Sequence, residues 1–380
     1  MINAMVSSKT SPATQAINTT IPPETTTATV SPLWNLCGTV AVVADTQNYD
    51  IKILDLASGA ISSVVGSGVY GYQDGDRTSA QFNYPLGVAE TILDGRPISF
   101  VADAYGDHIR RVDLLTGSVS SVMNAWNPTG LVVSPDGKSL YFCLYDSHQI
   151  GKLNIATGEV VILSGSHEGF RDGSLATAQY KYPRKVSMSF DGSIIVVSDH
   201  VNHAIRILNI SDDNVYTLAG NGQPGFLNGI GSAARFQYPA GTSVSSDYDF
   251  ILVADHHNHA IRKIETKSGA VSTLAGGILG AGFADGEGTS ARFYYPAEVA
   301  ITLKDGILVA LVADRLNDAI RVVSLENAVV STLSRGSFYW PDSVSVLNLA
   351  PCEYHYASPT TTPMALTPGA SHIAHKMNSV

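Results

Sequence analysis

The feature that most constrains this chain is a repeat. Two short signatures alternate along it, with six copies of each. Self-similarity at a period of some tens of residues marks units that bury their apolar faces against one another. The first signature is an apolar run ending in Asp, then a turn, then a strand carrying a basic residue. The runs are "VVAD" ending at Asp45, "FVAD" at Asp103, "FCLYD" at Asp146, "VVSD" at Asp199, and "LVAD" at Asp255 and again at Asp314. Lys52, Arg110, Lys152, Arg206, Arg262 and Arg321 are the basic residues that follow. The second signature is aromatic-x-aromatic-Pro or its relic: "FNYP" at Pro85, "NAWNP" at Pro128, "YKYP" at Pro183, "FQYP" at Pro239, "FYYP" at Pro296 and "FYWP" at Pro341.

Each unit reads as four strands. Strand A follows the Pro ("AGTSVS"), where a missing N–H harms no ladder. Strand B ends at the Asp ("FILVAD"), strand C holds the basic residue ("AIRKIE"), and strand D follows ("AVSTLAG"). Short β-branched runs bounded by Gly, Asn and Asp are strand signals. The copies "NHAIRKIETKSGAVSTLAG" and "DGEGTSARFYYPAEVAI" resemble NHL repeats, and the resemblance extends over residues 34–348. It implies an all-β fold: a six-bladed β-propeller with four-stranded antiparallel blades. The first run, "GTVAVVAD", is a B strand with no A strand before it, and the last, residues 343–347, is an A strand with no B strand after it. Pairing the C-terminal strand A with the N-terminal strands B–D completes a blade and removes the open sheet edges.

The propeller is expected over residues 34–350. Residues 1–33 and 351–380 are rich in Ser, Thr and Pro, too poor in apolar surface to offset their ordering entropy, and are expected to be disordered. Cys37 precedes the first B strand and Cys352 follows the last A strand, neighbouring ends of an antiparallel pair. A disulfide there would contribute about 4–5 kcal/mol by chain entropy; the other reading is two free thiols in a reducing compartment. Cys143, inside a B strand, reads as a buried core thiol. Tails of mucin-like composition, with a Cys37–Cys352 bridge, favour an extracellular or cell-surface location, although no signal-peptide pattern is visible. No apolar run is long enough to span a bilayer. A net charge of -10 repels phosphate backbones, so nucleic acid is not an expected partner.

A residue type that recurs in most units serves the scaffold. On that ground Asp103 with Arg110, Asp199 with Arg206, Asp255 with Arg262 and Asp314 with Arg321 read as ion pairs within their blades. Asn48, Asn202, Asn258 and Asn317 read as turn residues tolerating left-handed geometry. His200, His203, His256, His257 and His259 read as solvated turn residues, since their spacing supplies no third metal ligand. Four units carry an insert between strands D and A: "GYQDGDRTSAQF", "GFRDGSLATAQY", "GFLNGIGSAARF" and "GFADGEGTSARF". Their Asp-Gly and Asn-Gly pairs are turn chemistry; "DGDRTS" resembles a calcium loop but lacks the acid that closes the frame. The D–A and B–C connections emerge on one face, so the inserts are expected to rim the mouth of the central channel.

Breaks in the repeat point to a site. After the Pro most units carry small residues, but three carry Arg184 and Lys185, Glu298, or Asp342, at the starts of the innermost strands. Trp126 and Trp340, with Tyr84, Tyr182, Tyr238 and Tyr295, precede the same prolines. With Arg235 and Arg292 of the inserts, these residues make a candidate face for a protein or peptide. The expected function is a non-catalytic binding scaffold, monomeric and without cofactor or metal. Two alternatives follow from the resemblance. Six-bladed lactonases hold a divalent metal, calcium or zinc, at the channel mouth, where Glu298 and Asp342 would be two ligands. Some NHL propellers bind RNA through a basic face, which here would need Arg184, Lys185, Arg235 and Arg292 together.

Overall fold

The computed structural model describes residues 39–348; both Ser/Thr/Pro-rich tails, with Cys37 and Cys352, lie outside the described residues. Blade I receives β1 (Thr39–Asp45), β2 (Asp50–Asp55) and β3 (Ile61–Val65). Blade II is β4 (Pro85–Leu93), β5 (Arg96–Asp103), β6 (His108–Asp113) and β7 (Val119–Asn124). Blade III is β8 (Pro128–Val133), β9 (Ser139–Leu144), β10 (Gln149–Asn154) and β11 (Val160–Ser164). Blade IV is β12 (Pro183–Met188), β13 (Ile194–Asp199), β14 (Ala204–Asn209) and β15 (Asn214–Ala219). Blade V is β17 (Pro239–Val244), β18 (Phe250–Asp255), β19 (Ala260–Glu265) and β20 (Ala270–Gly276), with a two-residue outer strand β16 (Gly229–Ile230). Blade VI repeats this with β22 (Pro296–Lys304), β23 (Ile307–Asp314), β24 (Ala319–Ser324), β25 (Val329–Arg335) and outer β21 (Gly286–Glu287). The final strand, β26 (Pro341–Asn348), returns to blade I, whose order is β26-β1-β2-β3. Thr39 pairs with Asn348 and Val43 with Val344, so the two ends of the described chain close the ring.

The innermost strands touch in the order β26, β4, β8, β12, β17, β22 and back to β26. Six apolar clusters fill the six seams between blades. A strand covered on both faces has no reason to alternate, and β1 is buried from Val40 to Asp45 without interruption. Each fully buried Val, Ile or Leu contributes about 1.5–3 kcal/mol. Cys143 is buried in the seam between blades III and IV, and burial pushes its thiol up.

Inside this apolar frame each Asp at the end of a B strand holds a polar junction. In blade IV, Asp199 Oδ1 accepts the Lys181 N–H, while Oδ2 accepts Arg206 Nη1 at 2.7 Å and Asn202 Nδ2 at 2.9 Å. Blades II, V and VI repeat the bond, with Arg110–Asp103 at 2.9 Å, Arg262–Asp255 at 2.7 Å and Arg321–Asp314 at 2.8 Å. All four Arg side chains and all four Asp are fully buried. Blade I uses Lys52 against Asp45.

The inserts complete these junctions. They run onto the outer side of their blades instead of simply rimming the channel. Arg206 Nη2 reaches Asp172 of the insert at 2.7 Å, and its guanidinium lies between Phe170 and Tyr180, 5.2 and 5.1 Å from their centroids. Asp74, Asn228 and Asp285 receive Arg110, Arg262 and Arg321 in the same way. The insert then bridges strand D: Gly75 with Val119, Gly173 with Val215, β16 with β20 and β21 with β25.

Two sequence expectations are corrected. Blade III does not pair Asp146 with Lys152: the register sets Leu144 opposite Pro128, and Gly151 opposite Phe142, so Leu144 and Gly151 occupy the Asp and Arg places. The left-handed turn residue is not the Asn but the one after it, at Tyr49, His203, His259 and Asp318. Asn202, Asn258 and Asn317 instead bridge the Asp to a carbonyl of the insert, those of Gly169, Gly225 and Gly282.

Candidate functional site

Because strand A begins at the channel, the residues just after each Pro converge there. In three blades they are small: Leu86–Gly87, Thr129–Gly130 and Ala240–Gly241. That space admits the long side chains of the others. Arg184 Nη2 lies 2.8 Å from Asp342 Oδ2, and Lys185 Nζ lies 3.1 Å from Glu298 Oε2 and 2.5 Å from the Leu86 carbonyl. These charges come from blades I, IV and VI, so they tie the ring across its centre. A fifth member was not singled out from the sequence. Arg315 Nε sits 3.3 Å from Asp342 Oδ2, and the guanidinium lies 4.8 Å from the Trp340 ring centroid. Its signal is the turn series "DHVNH", "DHHNH", "DRLND", where Arg replaces His.

Electrostatics follow from this packing. Burial alone would raise the Asp342 carboxyl, but Arg184, Arg315 and Lys185 outweigh it and hold it below its ordinary value. Burial dominates at Glu298 and leaves it raised despite Lys185. Lys185 and Asp342 are 2% and 0% exposed, so the charges nearest the axis are withdrawn from solvent and paired with one another, while Asp342 Oδ1 has no hydrogen-bond partner among the described residues. The four cations named for a basic face do not gather on one surface. Arg235 donates to the carbonyls of Ser232 and Ala234, and Arg292 to that of Ala281, each within its own insert.

Three of the five turn histidines, His200, His203 and His256, are buried, while His257 and His259 are partly exposed. His200 and His256 are buried, and each Nδ1–H donates across a seam, to Pro239 O and Pro296 O, both at 2.9 Å; Thr46 makes the same bond to Pro85 O. Desolvation, reinforced by Arg184, holds both imidazoles well below their ordinary range. His148, His203 and His259 accept the backbone N–H of Tyr182, Tyr238 and Tyr295. Asp107 and Asp318 do the same for Asn127 and Trp340. Among the described residues, no group of three or more His, Cys, Asp or Glu is placed to hold a metal ion.

These accepted N–H groups belong to unusual residues. Tyr84, Asn127, Tyr182, Tyr238, Tyr295 and Trp340, each just before its Pro, all have φ between 45° and 60°. A bulky residue at positive φ is uncommon, and such geometry costs about 1–3 kcal/mol. Here it recurs around the whole mouth. The aligned residue of blade III is therefore Asn127, and Trp126, one place earlier, projects outward at 70% exposure. Tyr70, Tyr49, Tyr84 and Tyr105 form a continuous chain of ring contacts, with Tyr70 and Tyr105 exposed at 69% and 60%. Tyr339, also exposed, packs on Trp340.

No family model matches the chain. It is 28% identical over 323 residues to Protein SUPPRESSOR OF QUENCHING 1, chloroplastic, of Arabidopsis thaliana, covering 77% of this chain and 30% of that protein. It is 26% identical over 341 residues to NHL repeat-containing protein 2 of Bos taurus (76% and 45% covered) and 25% identical over 338 residues to that of Homo sapiens (77% and 46%). The chain thus spans less than half the length of these curated relatives. Among solved structures, a chain of a nidogen/laminin complex superposes with a TM-score of 0.58 at 13% identity, covering 83% of this chain and 100% of that one. An auxiliary nutrient binding protein from Bacteroides ovatus gives 0.51 at 19%, with 77% and 71% covered. From strand order and ring closure the chain is a six-bladed β-propeller, and it is similar over 77% of its length to NHL repeat-containing protein 2 of Homo sapiens.

Proposed function

We propose that the chain is a non-catalytic scaffold that binds a protein or peptide on its loop-rich face. The observation that carries this reading is the division of labour at the channel mouth. The charged residues Arg184, Lys185, Glu298 and Asp342 are engaged with each other, while Trp126, Tyr105, Tyr70 and Tyr339 stand exposed around them. Rigid aromatic side chains on a fixed frame give large contact area at low entropic cost. In this reading Trp126 anchors a partner, and Tyr105, Tyr70 and Tyr339 complete the contact surface.

The metal-dependent hydrolase alternative would need Glu298 and Asp342 as ligands. Both carboxylates are already paired with cations, and a metal would have to displace Lys185 and Arg184. The test compares proteins crosslinked to the wild-type chain with those crosslinked to Trp126→Ser/Tyr105→Ser. A specific partner lost from the double variant, with the melting temperature unchanged, supports the assignment. A partner set that survives unchanged removes this face from it, and stoichiometric metal with lactone turnover would replace it.

A further inference from the structure

The outer perimeter of the ring is finished in four blades and unfinished in two. In blades II, IV, V and VI the insert lies along strand D and pairs with it: Gly75 and Val119 exchange bonds of 3.1 and 2.8 Å, Gly173 and Val215 bonds of 3.0 and 2.7 Å. The insert acid also caps that strand, with Asp74 accepting from Ser121 and Asp172 from Thr217. Blades I and III have no insert, and among the described residues neither β3 nor β11 pairs on its outer side. Their sequences differ. β3 reads ISSVV, whereas β11 reads VVILS, with Val160, Val161 and Ile162 exposed at 39%, 45% and 49%. It carries no Lys, no Pro and no charge, the devices that normally protect a sheet edge.

The junction beneath β11 is apolar as well. Register places Ile162 opposite Gly151, where sister blades place Thr217 opposite Arg206 and Ser121 opposite Arg110. An acidic segment like the inserts would find no Arg there. We propose that β11 is a docking edge that accepts one extended, apolar segment of a partner protein as an added antiparallel strand. The four inserts display the form of the occupant, and the exchange of Thr, Arg and Asp for Ile162, Gly151 and Leu144 sets its chemistry. This edge is separate from the loop-rich face and stands whether or not that face binds anything.

The experiment uses the full chain and a synthetic peptide, acetyl-KTVVITVK-amide, read by amide hydrogen exchange. Millimolar peptide should slow exchange of Val160 and Ile162, whose N–H groups face away from β10, at least tenfold and leave β15 unchanged. Val161→Lys should abolish that protection, and Ile162→Thr, which installs the sister-blade residue, should weaken it severalfold without loss of fold. Absence of β11 protection, or equal protection in Val161→Lys, overturns the proposal. Protection that appears without peptide as protein concentration rises assigns the edge to a second copy and overturns it too.

Discussion

Blades III and IV share one backbone plan and solve its central junction in opposite ways. Blade IV buries Asp199 against Arg206, sandwiches the guanidinium between Phe170 and Tyr180, and closes it with Asp172. Blade III removes all of these together. Leu144 stands for the Asp, Gly151 for the Arg, and Phe142 fills the vacated space where five blades carry Val43, Val101, Val197, Val253 or Val312. A Cβ on Gly151 would lie 2.3 Å from the Phe142 ring, so the two substitutions depend on each other. The contrast teaches that the polar junction is a unit. A buried ion pair can be exchanged as a whole for well-packed apolar groups at little cost, whereas half of one is strongly destabilising.

The sharpest way to break this comparison is to remove half. Arg206→Leu should cost about 3–5 kcal/mol in urea unfolding, because it strands a buried Asp199. The combination Arg206→Gly, Asp199→Leu and Val197→Phe, which copies blade III, should recover most of it. A loss under ~1 kcal/mol for the single change would sink the idea of an indivisible unit. Phe142→Ala should cost nearly as much, about 3–4 kcal/mol, through the cavity it opens between blades II and III.

Acid provides the next discriminator. His200 of blade IV is held below its ordinary range by burial, while blade III carries Tyr145 after Leu144 at the matching place. A base whose folded pKa is depressed contributes stability that is present above pH 6.5 and is lost as pH falls. The wild-type advantage over His200→Tyr should therefore shrink by about 1.4 kcal/mol per pH unit below 6.5. Asp199 and Asp255, raised to about 6 by burial, titrate in the opposite sense, and their contribution cancels in that difference. Asp172→Ala should have the smallest effect, about 1 kcal/mol, since its carboxylate is 50% exposed and Arg206 keeps Asp199. Its checkable signature is faster amide exchange at Thr217, which loses its acceptor.

The architecture was legible because it rests on periodicity. Six acids, six prolines and the order of the first and last strands determine blade number and closure without any contact being known. The chemistry at the mouth was legible only in part. Arg184, Lys185, Glu298 and Asp342 stood out as breaks in the repeat, but a repeat cannot show that breaks three blades apart meet across an axis. The turn histidines misled for a related reason. His203 and Asp318 perform one task, accepting the N–H of a residue in the next blade, and acceptance by a ring nitrogen leaves no mark in composition. Blade III was misaligned by two residues because "FCLYD" offers an Asp where register, set by Pro128 against Leu144, does not use it.

The pairing of Thr39 with Asn348 also has a mechanical meaning. The chain enters and leaves the propeller at adjacent points on one antiparallel ladder, whose hydrogen bonds lie perpendicular to the strands. Tension applied through the two termini would load those bonds one after another, as in a zip, and not all at once in shear. A tether pulled from both ends should peel β26 away at low force and open the ring there, whereas a load carried across the disc would meet every seam together.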